Sequence, residues 1–297
     1  MLSIIIVNWN VQPLLQRCLE SIFTFVKDLE FEIIVVDNCS QDASKEYLTK
    51  VAKREKRVRI ILNNKNLGFA RANNQALKKA QGEYILFLNP DTEFIKPNLK
   101  DLLDTLAKNS SWGIVGSQLM GVDGQIQRSV KRFPRVSDQA MILLKLHYLF
   151  FWCPVLKKYW QKNLDLTKTQ LVDQVDGTFM LIQRSLLEKI GSFDEAFYLW
   201  FEDVDLCYRF KQAGYQVVYC PQFKILDHHG KSFGQLLSWS RQKIYNQSLL
   251  TYFKKHYPLK YYWPLLIIQF FSLFLAKLSE ILSPKKRERI KTKLKIG

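Results

Sequence analysis

The chain has 297 residues, 47% of them hydrophobic, and a formal net charge of +17. This length and apolar content suit one large or two small globular domains and exclude a disordered chain. The basic balance leaves three uses to separate: a nucleic-acid groove, a face held by anionic lipid, or a solvated surface. Cys18, Cys39, Cys153, Cys207 and Cys220 are odd in number and scattered, without metal-ligand spacing. They point to a reducing compartment and no disulfide framework. The opening Met1-Leu2-Ser3-Ile4-Ile5-Ile6-Val7-Asn8 lacks a charged n-region, and its apolar run is short for a signal peptide. The expected compartment is the cytoplasm.

Along the chain, apolar β-branched runs at 3–8, 31–37, 58–62 and 83–88 alternate with helix-like runs at about 13–26, 43–54 and 69–80. Such alternation predicts an α/β fold, a Rossmann-like mostly parallel sheet with helices on both faces. The strands run out into Asn8, Asp37, Asn63 and Asn89. These polar residues gather on one rim, the carboxyl edge where open α/β sheets bind ligands. Asn8-Trp9-Asn10-Val11-Gln12-Pro13 has no glycine, so the dinucleotide fingerprint of an oxidoreductase is absent.

Three rim segments carry chemistry. Asp37 could accept a hydrogen bond from the imide N–H of a uracil or thymine, or could serve as a turn or cap residue. Asn66-Leu67-Gly68-Phe69-Ala70-Arg71 leads into a helix whose N-terminus can hold an anion, with Arg71 as an added cation. Asn89-Pro90-Asp91 ends an apolar strand in a carboxylate. Magnesium or manganese is often held by one or two carboxylates plus substrate phosphates, so Asp91 suits a metal carrying a diphosphate.

Residues 114–120 read as a further strand, followed by an Asp123-Gly124 turn. The alternation then fails. Residues 137–163 are rich in aromatics and lysine, which fits either a core helix or a membrane-surface or acceptor-binding element. Regular structure returns with a strand at 175–182, a helix at 184–190 closed by Gly191, a helix at 202–213 closed by Gly214, a strand at 215–219 and a helix at 233–256. In Glu202-Asp203-Val204-Asp205 the helical spacing puts Glu202 and Asp205 on one face and turns Asp203 elsewhere. These acids complement the helix dipole or serve chemistry. A later run, Asp227-His228-His229-Gly230, offers metal ligands, and in an extended segment only one of the two histidines would face the site. Tyr261 to Ala276 is 16 residues without a charge, short of the roughly 20 needed to span a bilayer. Aromatics lead it and a basic tail from Lys285 to Lys295 follows it, which predicts attachment to a membrane surface by residues 258–297, beyond a domain at 1–257.

The order of Ile5-Ile6-Val7-Asn8, Val35-Val36-Asp37-Asn38, Asn66-Leu67-Gly68-Phe69-Ala70, Leu88-Asn89-Pro90-Asp91-Thr92 and Phe201-Glu202-Asp203-Val204-Asp205-Leu206 resembles the inverting family 2 glycosyltransferases of GT-A fold, most similarly their rhamnosyltransferase-like branch. The resemblance covers roughly residues 1–255. It implies transfer of a sugar from a UDP- or dTDP-activated donor with Mg2+ or Mn2+, to a lipid-linked or polysaccharide acceptor at the cytoplasmic face of the cell membrane. Asp203 would be the catalytic base. Asn8, Asp37, Asn66, Gly68, Arg71, Asn89 and Glu202 would bind the nucleotide-sugar. Asp91 and His229 would hold the metal, with Asp227 or His228 as substitutes for His229. Asn89 stands where the family's metal-binding motif has its first Asp. The rival readings are a basic nucleic-acid-binding protein and a catalytically degenerate membrane scaffold. The first leaves Asp37, Asp91 and Asp203 without a purpose, so nucleic acid is not an expected partner.

Overall fold

The computed structural model describes residues 1–27, 29–95, 99–150, 152–228 and 238–282. In chain order the elements are β1 (Leu2–Asn8), α1 (Gln12–Phe25), β2 (Phe31–Asp37), α2 (Ser44–Arg54), β3 (Val58–Leu62), α3 (Phe69–Leu77), β4 (Tyr84–Leu88), β5 (Thr92–Phe94), α4 (Leu99–Lys108), β6 (Trp112–Met120), β7 (Ile126–Gln127) and β8 (Val130–Lys131). There follow α5 (Val136–Leu143), α6 (Pro154–Tyr159), β9 (Gln170–Val172), β10 (Gln174–Val175), β11 (Phe179–Gln183), α7 (Arg184–Ile190), α8 (Glu202–Gln212), β12 (Gln216–Asp227), α9 (Ser238–His256) and α10 (Leu259–Ile281).

The main sheet runs β3-β2-β1-β4-β11-β6-β12-β5. Its first four strands are parallel, as the alternation predicts. β11 then enters antiparallel between β4 and β6, and the sheet becomes mixed. The expected strand at 175–182 is in fact two elements. β10 leaves the sheet to pair with β8, and β11 begins only at Phe179. The expected strand at 215–219 runs on to Asp227. The aromatic stretch 137–163 is broken into α5, a short 3-10 turn at Leu146–Tyr148, and α6. Of the expected helix 233–256, residues 233–237 lie outside the described residues, and α9 covers the rest.

Strand alternation builds the two layers. Ile4 and Ile6 face a core shared with Leu15, Leu19 and Ile22 of α1, Leu48 of α2 and Leu106 of α4. Ile5 faces the other side, with Ala72 and Ala76 of α3, Leu187 of α7 and Phe210 of α8. Each fully buried aliphatic side chain contributes roughly 1.5–3 kcal/mol. A third core, of Phe201, Val204, Leu249, Tyr252, Phe253 and Leu265, fastens α9 and α10 onto α8.

Asp205 is the polar centre of that junction. It is fully buried and accepts hydrogen bonds from Arg209 Nε at 2.7 Å and His256 Nε2 at 2.7 Å, with Lys255 Nζ at 2.8 Å. Arg209 also donates to the carbonyls of Ile190, Gly191 and Ser192, closing the end of α7. Burial alone would raise the Asp205 carboxyl. The His256 hydrogen bond, Arg209 and Lys255 outweigh it and hold the group at about 2. Because the folded value lies below the ordinary 3.8, this stabilisation is present above that pH and is lost as pH falls toward 2. Asp205→Asn is expected to cost about 3–5 kcal/mol in urea unfolding, as for a broken buried ion pair. The loss should shrink as the wild type is titrated from pH 5 toward pH 2, and a variant within about 0.5 kcal/mol of wild type at neutral pH would contradict this account.

Candidate active site

Two cavities adjoin at the carboxyl ends of β1, β2 and β4. The first, of about 180 Å3, is lined by Val7 in β1 and Trp9 after it, Asn38 after β2, Asn66, Gly68 and Phe69 at the start of α3, and Asn89 to Asp91 after β4. Tyr198, Leu199 and Ile244 close it. The second, of about 450 Å3, holds Glu202 and Asp203 at the start of α8, Asp227 at the end of β12, and Lys131, Asp176 and Thr178 opposite. Phe69, Asn89 and Leu199 line both, so Asn89 stands in the common wall.

The floor of the first cavity is a chain of side-chain amides. Asn8 Nδ2 donates to Asp37 Oδ1 at 2.9 Å, and Ser40 N–H donates to Asp37 Oδ2 at 3.1 Å. Asn38 donates to Asn66 Oδ1 at 2.8 Å and accepts from the Leu67 N–H and from Asn63. Asn8 and Asp37 are therefore buried behind the wall, and the wall itself is Asn38 and Trp9. In register, Asn8 opposes Asp37 across the β1–β2 ladder, so the two side chains meet each other before they can meet a ligand.

The entry to α3 is closed in the same way. The N–H groups of Leu67, Gly68 and Phe69 donate to Asn38 Oδ1, Asn66 Oδ1 and the Tyr198 carbonyl. The first N–H groups of the expected anion site at this helix start are thus spent on loop structure, which leaves those of Ala70 and Arg71 for a ligand. Arg71 is also turned away: its Nε donates to Glu195 at 2.9 Å on the exposed side of α3, and it lines neither cavity.

Asp91 is buried at the first cavity, and its carbonyl accepts the His228 N–H at 2.9 Å. Asn89 donates through Nδ2 to Thr178 Oγ1 at 3.3 Å, which leaves the amide oxygen as the remaining polar atom of that side chain. Thr92, next to Asp91, pairs with Asp227 in the β5–β12 ladder, which brings Asp227 to the junction. His228 faces away, with its Nε2 2.6 Å from Glu93 Oε1, so it drops out as a ligand candidate. His229 lies outside the described residues. Among the described residues no three His, Cys, Asp or Glu side chains gather into a metal cage. The oxygen donors of Asn89 and Asp91 fit a hard divalent ion that takes its other ligands from a diphosphate and water.

The start of α8 departs from the helical-face expectation. Glu202 and Asp203 both line the second cavity, and Asp205 is the residue turned away. The cause is that the helix end itself, not a flank, faces the cavity, so its first two side chains project there. The chain enters α8 through Trp200 and Phe201, two non-glycine residues in succession at positive φ, 64° and 68°. Such backbone costs of order 1–3 kcal/mol per residue and concentrates at functional sites. Asp203 Oδ2 accepts the Gly177 N–H at 2.9 Å, and Oδ1 accepts the Val204 N–H at 2.8 Å. Burial, then the nearby Asp176, raises the Asp203 carboxyl above its usual range, against the pull of those N–H groups and Lys131. Burial and the neighbouring Asp203 and Asp205 raise Glu202 well above the usual range, and its Oε2 has no protein partner.

Lys131, Asp176, Trp9 and Tyr198 were not legible as site residues in the sequence. Lys131 and Asp176 form an ion pair at 2.6 Å. They meet only because two-residue strands β8 and β10 pair, and strands that short have no periodicity to read.

A carboxylate-bearing strand end, a partly parallel sheet and a second cavity with a buried acid fit a glycosyltransferase of GT-A fold. The model of "Glycosyl transferase family 2" matches residues 3–191, and the chain belongs to that family. It is 26% identical over 249 residues to the N-acetylglucosaminyl-diphospho-decaprenol L-rhamnosyltransferase of Mycobacterium tuberculosis, covering 79% of this chain and 78% of that one. It is 28% identical to the rhamnosyltransferase WbbL of Escherichia coli, covering 78% and 86%. With an uncharacterized protein y4gI of Sinorhizobium fredii it shares 27% identity but spans 25% of that protein's length. The mannosyltransferase of Pyrobaculum calidifontis, solved with GDP-Man and Mn2+, has the same fold at a TM-score of 0.57 and 17% identity, covering 99% of this chain and 79% of that one.

Gly68 shows how tightly the first cavity is set. It has φ +84°, and a Cβ there would lie 2.4 Å from the Tyr198 carbonyl oxygen. Gly68→Ala should destabilise the protein by about 2–4 kcal/mol through strain and overpacking together and should weaken nucleotide binding. Gly124 has φ +76° with nothing near its added Cβ. Gly124→Ala should cost only about 1 kcal/mol, so equal losses in thermal unfolding would remove the Tyr198 contact as the cause.

Proposed function

We propose that this glycosyltransferase moves a sugar, with inversion, from a UDP- or dTDP-activated donor to a hydroxyl of a membrane-held, lipid-linked glycan in cell-surface polysaccharide synthesis. The carrying observation is the placement of a buried, elevated carboxyl, Asp203, in a cavity that shares Asn89, Phe69 and Leu199 with the strand-end cavity. The nucleotide occupies the strand-end cavity, its base beside Trp9 and Asn38 with Asp37 at the back of that slot, held there by Asn8. Asn66 and Gly68 shape the ribose side. The acceptor sugar occupies the larger cavity. Asp203 accepts the proton of the acceptor hydroxyl as its oxygen bonds to the anomeric carbon, and the bond from that carbon to the diphosphate breaks on the opposite face. Glu202, its carboxyl raised by burial and by Asp203, shares a hydrogen bond with a sugar hydroxyl. Asp91 and Asn89 are the residues that would hold Mg2+ or Mn2+, which when bound stabilises charge on the leaving diphosphate. Asp227 is placed to add an oxygen at the junction.

Membrane attachment is supported by α10, whose polarity is inverted for a helix in water. Trp263, Ile267, Phe270, Phe271, Phe274 and Ile281 are each more than half exposed, at helical spacing. Ser272 and Glu280 are buried instead. Trp239 N–H donates to Glu280, and Asn246 donates to the Gln269 carbonyl, so α10 lies antiparallel along α9. At 23 residues α10 is, by length and composition, long and apolar enough to cross a membrane, beyond the 16-residue run expected from the sequence, but a helix bound lengthwise to a partner that carries Arg241, Lys243 and Lys254 suits the interface better than a crossing.

Asp203→Asn should lower turnover by roughly 100-fold or more with donor affinity retained, and the wild-type rate should fall as pH drops through the elevated carboxyl. Turnover within a few-fold of wild type would remove Asp203 as base. Asp91→Ala should abolish the manganese-dependent part of UDP or dTDP binding in titration calorimetry, and unchanged affinity would count against the metal role. Phe270→Ser combined with Phe271→Ser and Phe274→Ser should move the protein from the membrane fraction to the soluble one. Continued pelleting with membranes would show that α10 is not the anchor.

A further inference from the structure

A third cavity, of about 670 Å3, sits outside the machinery described so far. Its wall carries Arg132, Arg135, Lys157 and Lys158 with Gln161 and Asn163, and no acidic side chain among the described residues that line it. Lys157 and Lys158 are exposed and form no ion pair among the described residues. Arg132 commits one nitrogen to the buried Asp138 at 2.6 Å, and its Nε and Nη1 find no partner among the described residues. Nearby, Arg128 is bound to the carbonyls of Gln161 and Lys162 and adds further positive charge. Asp138 offsets Arg132, which leaves Arg135, Lys157 and Lys158 around one concavity as charges that repel each other unless a further anion joins them.

The surroundings identify the anion. Pro154, at the rim of this cavity, follows Trp152 by two residues. Tyr148, Leu149, Phe150 and Trp152 are all exposed. Their segment is carried on α5, which packs against α10, and Lys145 donates to Gln242 of α9 at 2.8 Å. Since Asn246 of α9 meets Gln269 of α10 and Trp239 meets Glu280, Gln242 lies level with the stretch that bears Phe274. The exposed aromatic segment thus follows directly on an element packed against α10. On its other side, Arg132 N–H donates to the Tyr159 carbonyl, and Lys131 and Tyr159 line the cavity of Asp203. Exposed aromatics, then cations, then the acid form one path. Aromatic side chains with adjacent cations are the pattern of the bilayer interface, where apolar groups enter the acyl boundary and cations meet phosphates.

We propose that Arg132, Arg135, Lys157 and Lys158 form a binding site for the phosphate ester of a membrane lipid, which delivers the glycan attached to it into the cavity of Asp203. The site deepens the membrane-held acceptor reading and rests on it. It is separate from the donor site, with which it shares no lining residue. The phosphate can belong to the acceptor lipid itself or to bulk anionic lipid, and the test separates these.

The full chain and the double variant Lys157→Gln with Lys158→Gln are titrated with farnesyl diphosphate, with farnesol, and with vesicles of phosphatidylcholine with or without phosphatidylglycerol. UDP serves as the donor-site control. Wild type should bind farnesyl diphosphate and not farnesol, and the double variant should lose about tenfold or more in affinity with UDP binding and thermal midpoint unchanged. Loss confined to farnesyl diphosphate assigns the site to the acceptor's own diphosphate. Loss that extends to phosphatidylglycerol vesicles assigns it to lipid phosphate at large. Arg135→Gln alone should show a smaller loss in the same direction. Equal affinity of variant and wild type for both lipid phosphates would overturn the site while leaving the membrane-held acceptor intact. A wild type that binds neither, or that binds a DNA oligonucleotide through these lysines instead, would overturn both.

Discussion

Much of this structure depends on keeping two adjacent carboxyls, Glu202 and Asp203, out of water with no salt bridge to either among the described residues. Three acids follow one another at the start of α8, and their surroundings pull them apart. Asp205 receives Arg209, His256 and Lys255 and stays ionised. Glu202 receives no cation, and its carboxyl is pushed up by burial and by its neighbours. Asp203 lies between these extremes, held by two backbone N–H groups and faced by the Lys131–Asp176 pair. Divergent environments for neighbouring titratable groups are what allow one segment to offer both a proton acceptor and a hydrogen-bond donor. Maintaining them needs a rigid frame. Asp205 ties α8 to α9 through His256 and Lys255, and Phe201 and Val204 bury the same helix against α9 and α10. The strained turn at Trp200 and Phe201 persists because that frame determines it from several sides.

The parallel half of the fold was legible because its signals are local and redundant. β1 to β4 are mostly apolar runs that end in, or run straight out into, Asn or Asp, and each helix between them has its own stripe. The site residues that belong to those strand ends were legible for the same reason. What failed were inferences about direction. Asn8 and Asp37 satisfy each other, and Arg71 finds Glu195, a partner 124 residues away. Glu202 and Asp203 reach one cavity because α8 presents its end, which helical spacing alone does not reveal. A sequence reports which polar groups collect at a rim. It does not report which of them spend their hydrogen bonds on one another.

The mixed half was hard to read for a topological reason. β11 inserts antiparallel between β4 and β6, so the sheet order departs from chain order where the second cavity forms. β8 and β10 contribute two residues each, yet they bring Lys131 and Asp176 opposite Asp203. Their pairing is set by long-range contact, not by propensity. The same holds for the aromatic stretch after Val136. Its composition allowed a core helix or a surface element. The fold makes it both, with Leu143 and Leu156 buried and Tyr148 to Phe150 exposed.

The basic charge and the apolar helix then have a common physical reading. A soluble helix buries its large apolar residues, and α10 exposes them while burying Ser272 and Glu280. Burial of Glu280 is tolerable because it accepts the Trp239 N–H, whereas Ser272 Oγ has no partner among the described residues. The outward face is then free to meet a different solvent. On the reading proposed above, α10 would lie in the plane of the interface, and the helices that fix Asp203 would be the ones that contact the membrane. An acceptor confined to the bilayer surface would then meet the proposed base at an effective concentration set by the fold rather than by diffusion through water.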